Sequence, residues 1–378
     1  MYSMFNLEEH IHLSSGMPCV CVLPFRSIYE KMAKGLEGES SHSLMQYGVP
    51  RGYARFRNKL ANFLTRTRGT PVDPDALFIT NGATQAITLV LSSLRRQRDT
   101  VIVERPSYFL IFDLIKSLGF HALYADLDDQ GIKPFDIQAT PSTGFMYTTP
   151  FFQNPTGICL GETREEQLLA YAAEHDLYII SDEVYEFLYA QRSVRPSMSR
   201  TNSNAAVIAL GSFSKILGPG LRLGWIQAHP STIAQLEESA WAQSSGGMNP
   251  ILCRMVESLL DEGVVDEALL EWRRYLSNSR QLASVSIRNV FPDSRFSIPQ
   301  GGYFIWVDLG EMLLSDATFR DWLKTSFRVI YVPGGKCAPG TQTFRSHLRI
   351  GVSSYPSATL QEGLQRLQQG LQSYKRLN

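Results

Sequence analysis

Six short apolar runs alternate with segments of helical periodicity along the chain. They lie at 77–80, 101–104, 145–148, 177–181, 206–210 and 223–227. Apolar strands that alternate with helices predict a mostly parallel sheet covered by helices on both faces. Four of the runs are followed directly by a candidate site residue or turn, and ligands of such sheets bind beyond the carboxyl ends of the strands. The pattern therefore predicts an α/β fold with one crevice at that edge.

Lys215 stands among hydroxyl-bearing, apolar and glycine residues in the segment 211–225. Such surroundings favour the neutral amine, because burial disfavours the ammonium, and a neutral lysine attacks carbonyls to form Schiff bases. Ser212, Ser214 and Arg222 offer two hydroxyls and a planar fork of donors, which suits a phosphate. The segment therefore predicts a phosphorylated carbonyl compound as its ligand. A solvated loop lysine is the ordinary alternative, so further parts of a binding set have to occur elsewhere.

A second candidate anion site follows the run at 77–80. Gly82, Ala83 and Thr84 lie between that run and a periodic apolar segment, 87–94, which predicts a strand, a tight turn and a helix. Backbone N–H groups and the positive end of the helix dipole favour an anion at such a turn. The three residues are therefore candidate phosphate contacts, Ala83 through its backbone alone. An ordinary helix start explains the same residues equally well.

A third candidate is an arginine in an apolar, strand-like run near the end of the chain. Arg349 lies in the segment 348–353. An unpaired guanidinium would be costly in such a run, which favours a functional anion partner. A structural salt bridge is the alternative.

The run from Ser212 to Gly224, Ser-x-Ser-Lys followed by Gly-Leu-Arg-Leu-Gly, closely resembles the signature of fold type I aminotransferases that use pyridoxal 5'-phosphate (PLP). Other motifs of that family occur in its order between Gly16 and Ser353. The most similar group is the class I/II aminotransferases that include 2-aminoadipate, kynurenine and aromatic enzymes. The resemblance implies PLP as cofactor, carried by Lys215 as an internal aldimine. It also implies a mostly parallel sheet sandwiched by helices, with a smaller α+β domain.

The resemblance assigns further cofactor contacts. Tyr108 would stack on the pyridine ring, and Asn154 and Tyr185 would donate hydrogen bonds to the phenolic oxygen. Asp182 would pair with the ring nitrogen and keep it protonated, which makes the ring an electron sink. Glu183 is also acidic and spacing alone does not choose between the two, but the family's Asp-x-x-Tyr pattern selects Asp182.

The resemblance also implies a homodimer with shared active sites. Tyr47, in a Tyr-Gly-x-x-x-Gly segment, would reach the phosphate bound by the neighbouring subunit, although a loop with an incidental tyrosine has the same composition. Arg349 would bind the substrate α-carboxylate, and Gly16 and Asn154 would contact the substrate. Relatives often carry polar residues after Gly-x-Pro, where this chain has the segment 19–23, Cys-Val-Cys-Val-Leu. This difference favours an apolar or unusual substrate over a dicarboxylate.

The activity implied is transamination between an amino acid and a 2-oxo acid, with ping-pong kinetics. Lys215 would act as general base and then as general acid. Another PLP reaction, such as that of a lyase, a decarboxylase or a carbon–carbon bond-forming enzyme, remains the alternative, because the same motifs serve those enzymes. A non-catalytic ligand-sensing module is a weaker alternative. Regulators that fuse this fold to a DNA-binding domain exist, but the sequence leaves no room for such a domain before Gly16, and its formal net charge is zero.

The length of 378 residues is sufficient for two domains. We expect a large PLP-binding domain at 44–255, and a small domain formed by 1–43 together with 256–378. Lys+Arg and Asp+Glu both number 36, so no charge excess favours nucleic acid or a membrane surface. No apolar run could span a bilayer, and the first ten residues lack the layout of a secretory signal. Five cysteines without framework spacing agree with a reducing, cytoplasmic location.

One short-spaced set of residues resembles a metal site. His10 and His12, with Cys19 and Cys21, could supply four ligands from an extended segment. Their spacing fits no common zinc pattern. We therefore predict no metal.

Overall fold

The computed structural model describes residues 10–19, 22–23, 25–37, 44–190, 198, 206–245, 247 and 249–377. Its strands are β1 (Ile11–His12), β2 (Leu77–Thr80), β3 (Thr100–Arg105), β4 (His121–Asp128), β5 (Gly131–Ile132), β6 (Thr143–Thr148), β7 (Tyr178–Asp182), β8 (Val207–Ser212), β9 (Gly224–Ala228), β10 (Phe304–Asp308), β11 (Val329–Ile330), β12 (Val332–Pro333) and β13 (His347–Gly351). Its α-helices are α1 (Phe25–Lys34), α2 (Ala54–Arg68), α3 (Ala83–Ser93), α4 (Phe109–Ser117), α5 (Glu162–Glu174), α6 (Pro230–Glu237), α7 (Ala240–Ser245), α8 (Pro250–Asp261), α9 (Val264–Val290), α10 (Ala317–Phe327), α11 (Gly334–Cys337) and α12 (Ser357–Leu377).

The main sheet has the strand order β2-β9-β8-β7-β6-β3-β4-β5. Strands β8, β7, β6, β3 and β4 pair in parallel, whereas β9 is antiparallel to both of its neighbours. The predicted mostly parallel sheet is confirmed, and each of the six apolar runs forms a strand. The sequence pattern missed β4, because Ala125 is the one residue of that strand that is fully buried.

Helices cover both faces of this sheet because its strands alternate their side chains between two apolar clusters. Val101 and Val103 of β3 pack in one cluster with the apolar face of α3 and α4. Ile102, between them, packs in another cluster with Leu168 of α5. Strands buried on both faces read as continuous apolar runs, which explains the pattern in the sequence.

The rest of the chain builds two smaller sheets. Strand β1 pairs with β11, and a second sheet has the order β10-β13-β12. The buried face of α12 contains four leucines that recur at helical spacing in the sequence, Leu360, Leu364, Leu367 and Leu371. The helical pattern of residues 251–290 predicts one long helical connection, but the segment forms as α8 and α9, separated at Gly263, whose φ is +70°. The domain boundaries predicted above remain a prediction.

Within the described ranges, no helix is both long enough and apolar enough to cross a membrane.

Candidate active site

A cavity of about 450 Å³ lies at the carboxyl ends of the parallel strands. Its lining includes these predicted site residues: Gly16, Ala83, Thr84, Tyr108, Asn154, Asp182, Tyr185, Ser212, Ser214, Lys215, Arg222 and Arg349. Gly82 lies immediately beside it, against the guanidinium of Arg222. Tyr47 is 85% exposed and does not line this cavity. The predicted residues of one chain are thus brought together, with Tyr47 as the exception.

One end of the cavity is built to receive an anion. Ala83 begins α3, and the first N–H groups of a helix have no partner within the helix. Ser212 ends β8, and its hydroxyl oxygen accepts a hydrogen bond from the N–H of Ser214 at 3.1 Å. Arg222 donates from Nη2 to the carbonyl oxygen of Asn81 at 3.1 Å, which brings its guanidinium over the helix start.

Gly82 is required by this arrangement. Its φ of +87° is a conformation that favours glycine. A Cβ atom at Gly82 would lie 3.2 Å from Nη2 of Arg222. The missing side chain therefore lets the guanidinium lie close to the start of α3.

Asp182 supplies a buried carboxylate near the middle of the cavity. It ends β7, and its Oδ2 accepts a hydrogen bond from the Tyr147 hydroxyl at 2.6 Å. Its Oδ1 accepts from the N–H of Val184 at 3.4 Å. Burial raises the pKa of Asp182, whereas both hydrogen bonds and the charge of Lys215 act in the opposite direction. Glu183 does not line the cavity; its carboxylate accepts from Ser181 on the other side of the strand end.

Lys215 places its amine inside the cavity. Its Nζ donates a hydrogen bond to the carbonyl oxygen of Gly16 at 2.7 Å. The Tyr303 hydroxyl donates to the backbone oxygen of Lys215 at 2.7 Å and so holds this turn in place. Burial, then the charge of Arg349, lowers the pKa of Lys215 to about 8, with Asp182 opposing. A neutral, nucleophilic amine is therefore accessible near neutral pH.

Arg349 of β13 presents its guanidinium to the same cavity. Nη1 donates to Oδ1 of Asn154 at 2.8 Å, and Nη2 donates to the carbonyl oxygen of Ser14 at 2.9 Å. The guanidinium carbon lies 3.9 Å from the centre of the Phe304 ring. Its buried Nε has no hydrogen-bond partner, and no carboxylate of the described residues pairs with it. The structural salt bridge is thus not found there, and a donor remains for an anion.

Several residues of the cavity lining were not predicted from the sequence. They are Ser14, Ser15, Met17, Ile87, Phe109, Leu110, Tyr147, Thr149, Val184, Pro219 and Phe304. Strand periodicity could have indicated two of them, because Tyr147 and Thr149 share a face at the end of the strand next to Asp182. The others come from segments whose positions depend on the tertiary fold.

The four candidate metal ligands, His10, His12, Cys19 and Cys21, do not form a metal site within the described residues. Among the described residues, no group of three or more His, Cys, Asp or Glu side chains is arranged to hold a metal ion. Cys19 is disulfide-bonded, and Cys21 lies outside the described residues. Cys159, Cys253 and Cys337 are not in disulfides.

The fold and the cavity suit a class of enzyme that uses a phosphorylated carbonyl cofactor. The sequence matches the family model of aminotransferases of class I and II over residues 8–367, and the chain belongs to this family. It is 28% identical over 385 aligned residues to aromatic-amino-acid aminotransferase 1 of Thermococcus litoralis, covering 97% of this chain and 89% of that protein. It is similar in structure to LysN, the α-aminoadipate aminotransferase of Thermus thermophilus, with a TM-score of 0.85 and 27% identity over 98% and 94% of the two chains.

A regulator is also among the similar proteins. The chain is 29% identical over 304 residues to the uncharacterized HTH-type transcriptional regulator YdfD of Bacillus subtilis. The match covers 79% of this chain and 62% of the regulator. The chain therefore spans less than two thirds of the length of that relative.

The protein is a PLP-dependent, fold type I aminotransferase, which acts on an amino acid and a 2-oxo acid. The residues present fit the cofactor. Hydroxyl, guanidinium and helix N–H donors meet at one end of the cavity, where a phosphate would bind. The amine of Lys215 lies in the same cavity, where it could meet the carbonyl of the cofactor. One buried polar atom of the lining, Nε of Arg349, has no partner among the described residues and leaves a hydrogen bond for a bound group.

Proposed function

We propose that Lys215 carries the cofactor of this aminotransferase and transfers the substrate proton. PLP, when bound, supplies a carbonyl that condenses with amines and a ring that accepts electrons from the substrate Cα. The observation that carries the proposal is that one cavity joins the amine of Lys215, the carboxylate of Asp182 and the guanidinium of Arg349. A lysine whose pKa is lowered to about 8 is suited to take a proton and to return it near neutral pH.

The remaining predicted residues have positions that suit holding the cofactor. We assign the phosphate to Gly82, Ala83, Thr84, Ser212, Ser214 and Arg222, around the start of α3 and the end of β8. Tyr108 would contact the ring face, and Asn154 and Tyr185 would bind its phenolic oxygen. Asp182 would hold the proton on the ring nitrogen, because a carboxylate beside that nitrogen favours its charged form.

Arg349 is proposed to bind the substrate α-carboxylate. Its bonds to Asn154 and Ser14 fix the plane of the guanidinium before substrate arrives, which reduces the entropy lost on binding. With the carboxylate held there, the Cα–H bond would be oriented toward Lys215. Gly16, whose carbonyl oxygen contacts the Lys215 amine, would lie over the bound substrate.

The substrate side chain is proposed to be apolar or aromatic. Among the described residues that line the cavity, the cations are Lys215, Arg222 and Arg349, and each already has a role above, so none of these is left for a side-chain carboxylate. Apolar side chains, among them Met17 and Leu110, line the same cavity. The name of the relative from Thermococcus litoralis agrees with this class of donor.

Exchange of the lysine tests the central role. We expect Lys215→Ala to lose release of 2-oxo acid from amino acids, whereas Lys116→Ala, at an exposed lysine, keeps the wild-type rate. The measurement is the release of 2-oxo acid by holoenzyme, followed together with its visible spectrum. A Lys215→Ala enzyme that transaminates at the wild-type rate would refute the proposal.

A panel of single amino acids tests the reaction and the substrate class on the wild-type holoenzyme. We expect aromatic and large aliphatic amino acids to give one 2-oxo acid per site in the absence of an acceptor, and acidic amino acids to give far less. Loss of the amino acid without 2-oxo acid would favour another PLP reaction. Binding without any turnover would favour a sensing module of the kind that the regulator similarity suggests.

We also propose a homodimer in which Tyr47 reaches the phosphate site of the partner subunit. Its side chain is 85% exposed, and Met45 and Val49 near it are also exposed, so the described part of one chain leaves this surface uncovered. Mixing tests this arrangement: Tyr47→Phe and Lys215→Ala are each expected to be poor enzymes. Their hybrid would contain one intact site, made from Lys215 of one chain and Tyr47 of the other.

The expected result of mixing the two variants, after subunit exchange, is a gain of activity toward one intact site per hybrid dimer. No gain despite exchange would mean that Tyr47 acts within its own chain or not at all. Tyr29→Phe, at another exposed tyrosine, serves as the control and should need no complementation.

A cytoplasmic location and a part in amino acid biosynthesis belong to the same proposal. The buried thiols of Cys253 and Cys337 agree with a reducing compartment, whereas the disulfide at Cys19 is the one feature that does not. Fractionation of cells that produce the native protein tests the location.

A further inference from the structure

A buried tyrosine contacts the carboxylate that we assign to the cofactor's ring nitrogen. The hydroxyl of Tyr147 donates to Oδ2 of Asp182 at 2.6 Å, and both residues are buried. Tyr147 is opposite Ile180 in the parallel register of β6 and β7. Asp182 is two residues farther along β7 and therefore lies on the same face of the sheet. The contact follows from the pleat of two neighbouring strands.

The phenol ring is held rigidly by its surroundings. Its neighbours across the sheet are Val103 of β3 and Ile180 of β7, and all three residues belong to one buried apolar cluster. A side chain packed in this way has its hydroxyl position fixed before any ligand binds. Tyr147 can therefore set the orientation of the carboxylate, whereas a mobile donor would only follow it.

We propose that Tyr147 is a positioning residue for transamination: its hydroxyl keeps the Asp182 carboxylate ionised and directs the other carboxylate oxygen to the cofactor's ring nitrogen. The inference rests on the role proposed above for Asp182. Oδ2 accepts from the phenol, while among the described residues Oδ1 accepts only the long bond from the N–H of Val184 and retains a lone pair. In this arrangement Oδ2 of Asp182 accepts the hydrogen bond of Tyr147, and Oδ1 is left for the ring nitrogen of the cofactor.

The charges around Asp182 show why a neutral donor is useful there. Lys215 favours the ionised carboxylate, and burial opposes it. Glu104, on β3, is a second buried acid close enough to interact with Asp182. Tyr185, in the turn after β7, also faces Asp182, and burial raises its pKa, so it stays neutral. Tyr147 stays neutral for the same reason and stabilises the anion without adding a charge beside the ring nitrogen.

The first test is the pH dependence of the Tyr147→Phe holoenzyme. Removing a hydrogen bond to a charged group is expected to lower kcat about tenfold and to move the acid limb of the kcat profile up by about one pH unit. KM for the amino acid should change by less than about twofold, because Tyr147 does not contact the substrate carboxylate. The pH dependence of the cofactor's visible absorbance should move in the same direction.

A second variant is expected to shift the pH profile in the opposite direction. A fluorinated tyrosine at position 147 is a more acidic phenol of nearly the same shape and donates a stronger hydrogen bond. We expect the acid limb and the absorbance titration to move to lower pH than in the wild type. A packing defect would not shift the pH profile in opposite directions in the two variants. The pair therefore distinguishes a positioning role of the hydroxyl from a purely structural one.

Tyr331→Phe is the matched control. Tyr331 is also buried and donates from its hydroxyl to the backbone oxygen of Leu314 at 2.8 Å, but it does not line the cavity. This variant should leave both pH profiles unchanged. The proposal is overturned if Tyr147→Phe and the fluorinated variant keep wild-type profiles while Asp182→Asn abolishes activity. If Asp182→Asn itself keeps wild-type activity, the role assigned to Asp182 is wrong, and this inference is lost with it.

Discussion

Replacement of Arg349 by glutamine gives the most direct test of how the site binds substrate. The guanidinium is buried and donates one hydrogen bond each to Asn154 and Ser14, and its Nε has no partner among the described residues. Two charge-assisted hydrogen bonds to a carboxylate are worth roughly 3–6 kcal/mol together. Since each 1.36 kcal/mol is a factor of ten, kcat/KM should fall by roughly 10² to 10⁴.

The assay compares an amino acid with the amine that lacks its carboxylate. Wild-type enzyme should strongly prefer the amino acid, and Arg349→Gln should lose most of that preference while its slow reaction with the amine is little changed. Arg345→Gln is the matched control, because that arginine lies four residues earlier, donates to Gln342 at 2.9 Å and does not line the cavity. A fall of less than tenfold in kcat/KM for the amino acid, or an equal loss for the amine, would refute the reasoning.

Three further predictions concern the lysine, the phosphate end and the core. The apoenzyme should capture PLP faster as pH rises, with the rate half-maximal near pH 8 in rapid-mixing absorbance measurements, because the neutral amine of Lys215 is the nucleophile. Gly82→Ala should weaken PLP about tenfold or more through its strained φ and the crowding of the guanidinium. Gly69→Ala, which has the same sign of φ but open space, should leave PLP affinity unchanged in the same absorbance titration. Glu186→Gln should lower the free energy of unfolding by about 3 kcal/mol in urea, because it removes the charge of the carboxylate that accepts two hydrogen bonds from the buried Arg68 and leaves the more distant Glu183 carboxylate, at 3.6 Å, to pair with it.

Much of the main sheet was predictable because its strands are buried on both faces. Burial of that kind leaves a continuous apolar run in the sequence, as at 145–148 in β6. Strand β4 left no such run, since most of its residues are partly exposed and its identity is set by pairing with β3. The separation of α8 from α9 was also missed, because a single glycine inside an apolar periodic segment does not by itself end a helix.

The candidate site was predictable where one short segment carries several of its parts. Lys215 and its serines lie within four residues, so their proximity follows from the sequence alone. The contact of Lys215 with Gly16 joins residues 199 positions apart, and that of Tyr147 with Asp182 joins residues 35 apart. Contacts of this length depend on strand order and register, which the local pattern does not contain.

The reversed direction of β9 explains why the phosphate end forms at all. Arg222 precedes β9, so in a wholly parallel sheet it would lie at the opposite edge from the end of β8. Because β9 is antiparallel, its first residue, Gly224, is opposite both Thr80 at the end of β2 and Ser212 at the end of β8. A Cβ at Gly224 would lie 2.7 Å from the carbonyl oxygen of Gly211 and 2.8 Å from the Cα of Gly82. The close approach of β9 to the turn at Gly82 therefore depends on glycine at position 224. This approach brings Arg222, Ser212 and the start of α3 to a single anion site.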